Sequence, residues 1–129
     1  MALQNVGSVP RMIALLFWLL VGHSLADYPL QGNLLSRAKR SDSGLPMPSW
    51  LALATHSLIH AGVVALLTSS IWLGLAEFAL HYLIDYAKCN RWFNHAWPGS
   101  WEAAADERRA FTIDQALHVV CKLAWAAMV

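Results

Sequence analysis

Charge is what this sequence has least of. Only 13% of its 129 residues are Asp, Glu, Lys or Arg, where a soluble domain carries about 25%. Hydrophobic residues make up 57%, and mean hydropathy is positive. The shortage points to lipid as the solvent. The charges present nearly cancel, at +1 overall, so no basic surface is offered to a nucleic acid. Cysteine is scarce as well: Cys89 and Cys121 are too few for a disulfide framework and match no zinc-finger spacing. Internal repeats, a glycine-rich phosphate loop, a nucleophile elbow and a heptad array are all missing.

What is present is a set of four apolar runs, at 12–27, 50–68, 71–87 and 110–129. A membrane span needs ~20 residues, with a range of roughly 17–25, and the first and third runs lie at the short end. The expectation is one all-α domain over 1–129, a polytopic membrane protein built as an antiparallel four-helix transmembrane bundle. Its partner is then the lipid bilayer and no nucleic acid. Residues 28–49 hold Pro29, Gly32, Gly44, Pro46 and Pro48 with Arg37, Lys39 and Arg40, the pattern of a basic loop. Thr68, Ser69 and Ser70 make a tight turn. Residues 88–109 form a third loop whose Trp92, Trp97 and Trp101 suit a headgroup interface. Within it, "SWEAAADERR" is a candidate surface helix with Ser100 as N-cap and Glu102 in its first turn.

Basic residues orient the bundle. The first loop has three, the third has Lys88, Arg91, Arg108 and Arg109, the N-terminal tail has Arg11, and the middle turn has none. The positive-inside rule places loops 28–49 and 88–109 in the cytoplasm and both termini outside. A rival reading takes Arg11, the first apolar run and Ser24-Leu25-Ala26 as a signal peptide cleaved after Ala26.

Histidines carry the chemical signal. Five of the six have a His or Asp four residues away: His23 with Asp27, His56 with His60, His81 with Asp85, and Asp114 with His118; His95 falls in a loop. On a helix this spacing puts both members of a pair on one face. Up-and-down alternation then brings all four pairs to one membrane depth. A single histidine on an apolar helix is ordinarily a packed residue. Four pairs at one level are the pattern of a metal site in a bundle core. Imidazole and carboxylate suit zinc, manganese or iron, so the expected ligands are His23, Asp27, His56, His60, His81, Asp85, Asp114 and His118. These exceed the needs of one ion, leaving room for two metals or for carboxylates that orient histidines.

The polar stripe runs deeper on two helices, as Glu77, His81, Asp85 and as Asp114, His118, Lys122. Antiparallel packing predicts a buried Glu77–Lys122 ion pair, since either charge alone would be costly at that depth. Cys121, one turn from His118, is expected to pack as a small hydrophobe. Ser57 and Thr68 are candidates for interhelical hydrogen bonds.

"HSLADYPLQ" at 23–31, "HSLIHA" at 56–61, "HYLIDYAK" at 81–88 and "DQALH" at 114–118 resemble the domain-of-unknown-function family numbered 3307, over roughly residues 12–125. His23, Asp27, Tyr28, Leu30 and Gln31 match its opening motif, Lys39 the basic position that follows, and Asp114, Gln115 and His118 its close. The tryptophan-bearing third loop has no counterpart. The resemblance implies a small polytopic protein of a bacterial inner membrane or a phage. It counts against cleavage after Ala26, because His23 belongs to the motif.

Three functions are compatible with this pattern. One is a metal-dependent hydrolase acting at the membrane surface on a lipid headgroup or phosphoester. In it Asp27 or Asp114 is the general base, and Lys88 or Lys39 a point charge for a phosphate. The second is an ion or proton carrier. The third is an accessory membrane protein whose polar cluster only fixes helix packing. No substrate, metal identity or oligomeric state follows from the sequence.

Overall fold

The computed structural model describes residues 8–40, 43–95 and 103–129. Among them the chain is all helical, without a strand. Helix α1 is Ser8–Leu25, α2 Gly32–Ala38, α3 Ser49–Thr68, α4 Ile71–Cys89, α5 Trp92–His95 and α6 Ala103–Ala127. Helix α1 packs on α3 and α6, and α4 packs on the same two. The four long helices therefore close into a ring, the layout of a helix bundle.

The first corrections concern the loops. Residues 28–49 are not uniformly loop: α1 continues through a π-helical turn, Ala26–Leu30, and α2 follows. Pro29 sits inside that turn. Proline lacks an N–H and crowds the carbonyl four residues back, which a widened turn accommodates. Gly32 then takes a positive φ of 62° and redirects the chain into α2. The last helix starts at Ala103, ahead of the expected residue 110. His95 closes the short α5 and does not lie in a loop. Ser100, Glu102, Trp97 and Trp101 lie outside the described residues, and with them the expected N-cap and most of the tryptophan belt.

The tight turn at 68–70 is present. Ser69 adopts a left-handed φ of 53° as the C-cap of α3, and Ser70 Oγ caps α4 by accepting from Leu73 N–H. Gly74 permits the close approach that follows. A Cβ there would lie 2.9 Å from the Ala61 carbonyl oxygen and 2.8 Å from Ala65 Cβ.

The bundle interior has two ends. Leu19, Val64, Trp125 and Ala126 form the apolar one, with Leu73, Ala76 and Cys121 packed against it. The other is polar: His56, His60, Glu77, His81, Asp114, His118 and Lys122 are all buried. The outside is the reverse, with Phe17, Trp18, Leu58, Leu66, Trp72 and Val120 exposed. Leu66 is 81% exposed while Lys122 is 1% exposed.

Two segments, Ser8–Leu30 and Ser49–Thr68, are long and apolar enough to cross a membrane by length and composition. Helices α4 and α6 carry Glu77, Asp85 and Lys88, and Asp114 and Lys122, respectively, and those charges are buried in the bundle or at its polar end.

Candidate metal centre

Each long helix brings one wall. His23 lies in the last turn of α1 and Asp27 in the π turn, with His23 Nε2 3.3 Å from Asp27 Oδ2. Helix α3 supplies His56 and His60, α4 supplies His81 and Asp85, and α6 supplies Asp114 and His118. All eight residues meet at one level. The five imidazoles touch one another: ring centroids are 4.7 Å apart for His23–His60, 3.7 Å for His60–His81 and 4.1 Å for His81–His118.

Hydrogen bonds decide which ring nitrogens are bare. His118 Nδ1 lies 2.8 Å from the backbone carbonyl of Asp114. A carbonyl only accepts, so Nδ1 carries the hydrogen and the neutral ring keeps a lone pair at Nε2. His81 Nδ1 donates in the same way to Glu77 Oε1 at 3.1 Å. Both Nε2 atoms are buried, lack a hydrogen-bond partner among the described residues, and lie 4.0 Å from Asp85. An imidazole held through one nitrogen with the other turned inward is the preparation that metal-ligating histidines show.

A second group surrounds Asp27. Its Oδ1 accepts from His60 Nε2 at 3.1 Å, so the neutral His60 ring accepts at Nδ1 from His23 Nδ1, also at 3.1 Å. That leaves the His23 Nε2 lone pair facing Asp27 Oδ2, a repulsive pairing that a cation would relieve. His56 Nε2 stands between the carboxylates, 3.3 Å from Asp27 Oδ1 and 3.5 Å from Asp85 Oδ2, and is aligned for a hydrogen bond to neither.

Two sets of ligand atoms thus lie within 4.8 Å of one another: Asp27, His56, His60 and His81, and His81, Asp85 and His118. Ligands about 2.0–2.2 Å from one tetrahedral zinc lie roughly 3.3–3.6 Å apart. Side-chain adjustment that brings the widest pairs closer by about 1 Å would seat an ion in either set. His81 is shared between them. The donors are nitrogen and oxygen without sulfur, which fits zinc, manganese or iron.

Around these ligands sits a layer of fixed charges. Lys39, just past α2, donates to Asp85 Oδ2 at 2.8 Å, and Lys88 donates to Asp114 Oδ2 at 2.7 Å. Gln115 donates to the same Asp114 oxygen at 3.1 Å. Lys88 lies past the apolar run that ends at residue 87. Burial opposes its charge, but the Asp114 carboxylate outweighs that and raises its pKa. Below the ligands, the predicted Glu77–Lys122 pair is formed. Glu77 also accepts from Trp125 Nε1 at 2.6 Å. Sequence reasoning found the pair but missed Trp125 and the Lys39–Asp85 and Lys88–Asp114 contacts. Among the described residues Ser57 and Thr68 make no interhelical bond: Thr68 Oγ1 donates to Val64 of its own helix, and Ser57 Oγ meets no partner there.

The centre opens into a cleft of about 620 Å³, floored by Asp27 and Asp85 and flanked by Lys39, Lys88, Arg40 and Arg91.

A sequence profile for the family described as "Protein of unknown function (DUF3307)" matches residues 15–129. No curated protein and no solved structure matches the chain.

Proposed function

The chain belongs to the DUF3307 family, and on that premise we propose that it is an integral membrane protein whose His/Asp centre binds one or two divalent metals and hydrolyses a substrate at the membrane surface. The observation that carries the reading is the pair of bare Nε2 atoms on His81 and His118. They face Asp85, and each ring is pinned through its other nitrogen.

The membrane placement rests on the inverted distribution of polarity, apolar outside and ionised inside. Water would not tolerate that outer surface over four helices, whereas lipid would. In this reading α1 with its π turn, α3, α4 and α6 all span. Helices α4 and α6 fall short in composition because their charged residues serve the centre. Basic residues at 28–49 and 88–109 support a centre on the cytoplasmic side.

A divalent ion in the centre would supply Lewis acidity and activate water at neutral pH. His56, His81, Asp85 and His118 would hold it, and His60, engaged through both ring nitrogens, would keep Asp27 in position. Asp27, which lines the cleft, would take the proton from the attacking water. Asp114, 1% exposed and bonded to Lys88 and Gln115, would keep Lys88 in place.

A proton relay is the second reading, favoured by the unbroken contact of imidazoles from His23 to His118. Metal content separates the two. The full chain in detergent is expected to carry one or two equivalents of a transition metal by elemental mass spectrometry, and a His56→Ala, His81→Ala chain to carry none. The loaded wild type is expected to cleave p-nitrophenyl phosphate or p-nitrophenyl acetate. No metal after loading with zinc and manganese would sink the reading in favour of the relay. Metal without cleavage of either ester would sink the hydrolase alone.

A further inference from the structure

Charge balance within the centre points to the substrate. Four carboxylates (Asp27, Asp85, Asp114, Glu77) face three ammonium groups (Lys39, Lys88, Lys122). With neutral imidazoles the net is one negative charge. One dication turns this into one positive charge, and two dications into three. A buried positive excess is costly unless an anion joins it. The side open to an anion is the cleft, lined by Lys39 and Lys88.

The donors at the cleft come from separate elements: Lys39 from the end of α2, Lys88 from α4 and Gln115 from α6. A tetrahedral oxyanion presents oxygens in several directions and can accept from all of them at once. The volume, about 620 Å³, exceeds what a bare phosphate needs and lies in the range of sites for larger molecules.

Tyr28 joins this cleft to a second depression. That one is an open apolar groove of about 600 Å³ along the outer face of α1, lined by Phe17, Leu20, Val21 and Leu25, with Tyr28 and Pro29 at its polar end. A basic pocket and an outward-facing apolar groove that share Tyr28 in their linings together have the polarity profile of an amphiphile.

We propose that the substrate is a phosphorylated lipid, with its phosphoryl group in the cleft between Lys39 and Lys88 and its acyl chain along the α1 groove. This rests on the metal-centre reading above.

Cys89 lines the cleft and is free, so its alkylation rate reports occupancy. The test uses the full chain with Cys121→Ser, loaded with manganese in dodecyl maltoside micelles. The probes are phosphatidic acid, glycerol 3-phosphate and diacylglycerol, and bound metal is measured in every sample. Phosphatidic acid at about ten times its dissociation constant should slow Cys89 alkylation about tenfold. Diacylglycerol should not slow it, and glycerol 3-phosphate should need a far higher concentration. Ser24→Trp fills the groove from an exposed position. It should weaken protection by phosphatidic acid and leave that by glycerol 3-phosphate unchanged.

Protection by diacylglycerol equal to that by phosphatidic acid would overturn the phosphoryl assignment. Equal protection by glycerol 3-phosphate, insensitive to Ser24→Trp, would overturn the lipid and leave a soluble phosphoester. Bound metal with no protection by any probe would overturn the proposal and spare the metal centre. Loss of metal itself would remove both.

Discussion

Glu77 receives three donors in the bundle interior: Lys122 Nζ, Trp125 Nε1 and His81 Nδ1. It therefore has two roles that mutation can separate. One is to neutralise Lys122. Glu77→Ala leaves that ammonium buried and unpaired, at a cost of about 3–5 kcal/mol. The other is to fix the His81 ring so that Nε2 stays bare, and losing such a partner typically weakens metal binding about 10–100-fold. The double variant Glu77→Leu, Lys122→Met removes both charges and should recover most of the stability, because an apolar pair of similar volume replaces a buried ion pair at little net cost. It should not recover metal affinity, since His81 Nδ1 still lacks its acceptor. Denaturation in detergent beside a manganese titration checks both. Recovery of affinity together with stability would show that Glu77 acts on folding alone. At this scale the histidine and aspartate positions were legible, because the i, i+4 spacing alone puts them on common helix faces. The partners that set the tautomers were not. The Asp114 carbonyl and the Trp125 indole carry no spacing signal towards the site and become relevant only when helices α4 and α6 pack.

At the scale of elements, the site depends on how closely α4 lies against α3. Gly74 begins the buried stripe of α4 that continues through Glu77, His81 and Asp85. Gly74→Ala would place its methyl group against the backbone oxygen of Ala61, which cannot rotate away. The overpacking costs about 1–3 kcal/mol, against a helix-propensity gain of about 1 kcal/mol, so the net effect expected is loss of stability. The ligands on the same stripe shift with the helix, so metal content should fall too. Gly62→Ala is the control. That glycine is exposed and has nothing within 4 Å of the added carbon, so stability should rise by up to about 1 kcal/mol and metal content should hold. Equal behaviour of the two variants, measured by melting in detergent and elemental analysis, would refute the close-approach argument. The long helices were legible from apolar runs and turn residues. Helix α2 and the π turn were not, because Pro29 and Gly32 are ordinary loop signals. A widened turn turns both into a helical path that carries Asp27 to the centre and Lys39 to Asp85.

For the whole molecule, the question is which side of the membrane the centre faces. The two lysines counted toward the cytoplasmic side, Lys39 and Lys88, are bound to carboxylates of the centre. Their presence there has a local explanation and is weaker support for orientation than a free loop lysine would be. The proposed orientation then draws its support from Arg37, Arg40, Arg91, Arg108 and Arg109 in the segments flanking the centre, against Arg11 at the other end. The anionic leaflet would then lie beside the cleft, where a negatively charged lipid headgroup is most abundant. Thiol labelling in intact cells decides it. Cys89 marks the end with the centre, and Ser69→Cys in a Cys89→Ser, Cys121→Ser chain marks the turn between α3 and α4. A membrane-impermeant maleimide added outside should label the engineered Cys at position 69 and reach Cys89 only after the cells are opened. The opposite order would invert the bundle and put the hydrolytic face outside. Labelling of both positions in intact cells would mean that the chain does not separate two compartments, and the inverted polarity of its surface would then have to be covered by protein instead of lipid.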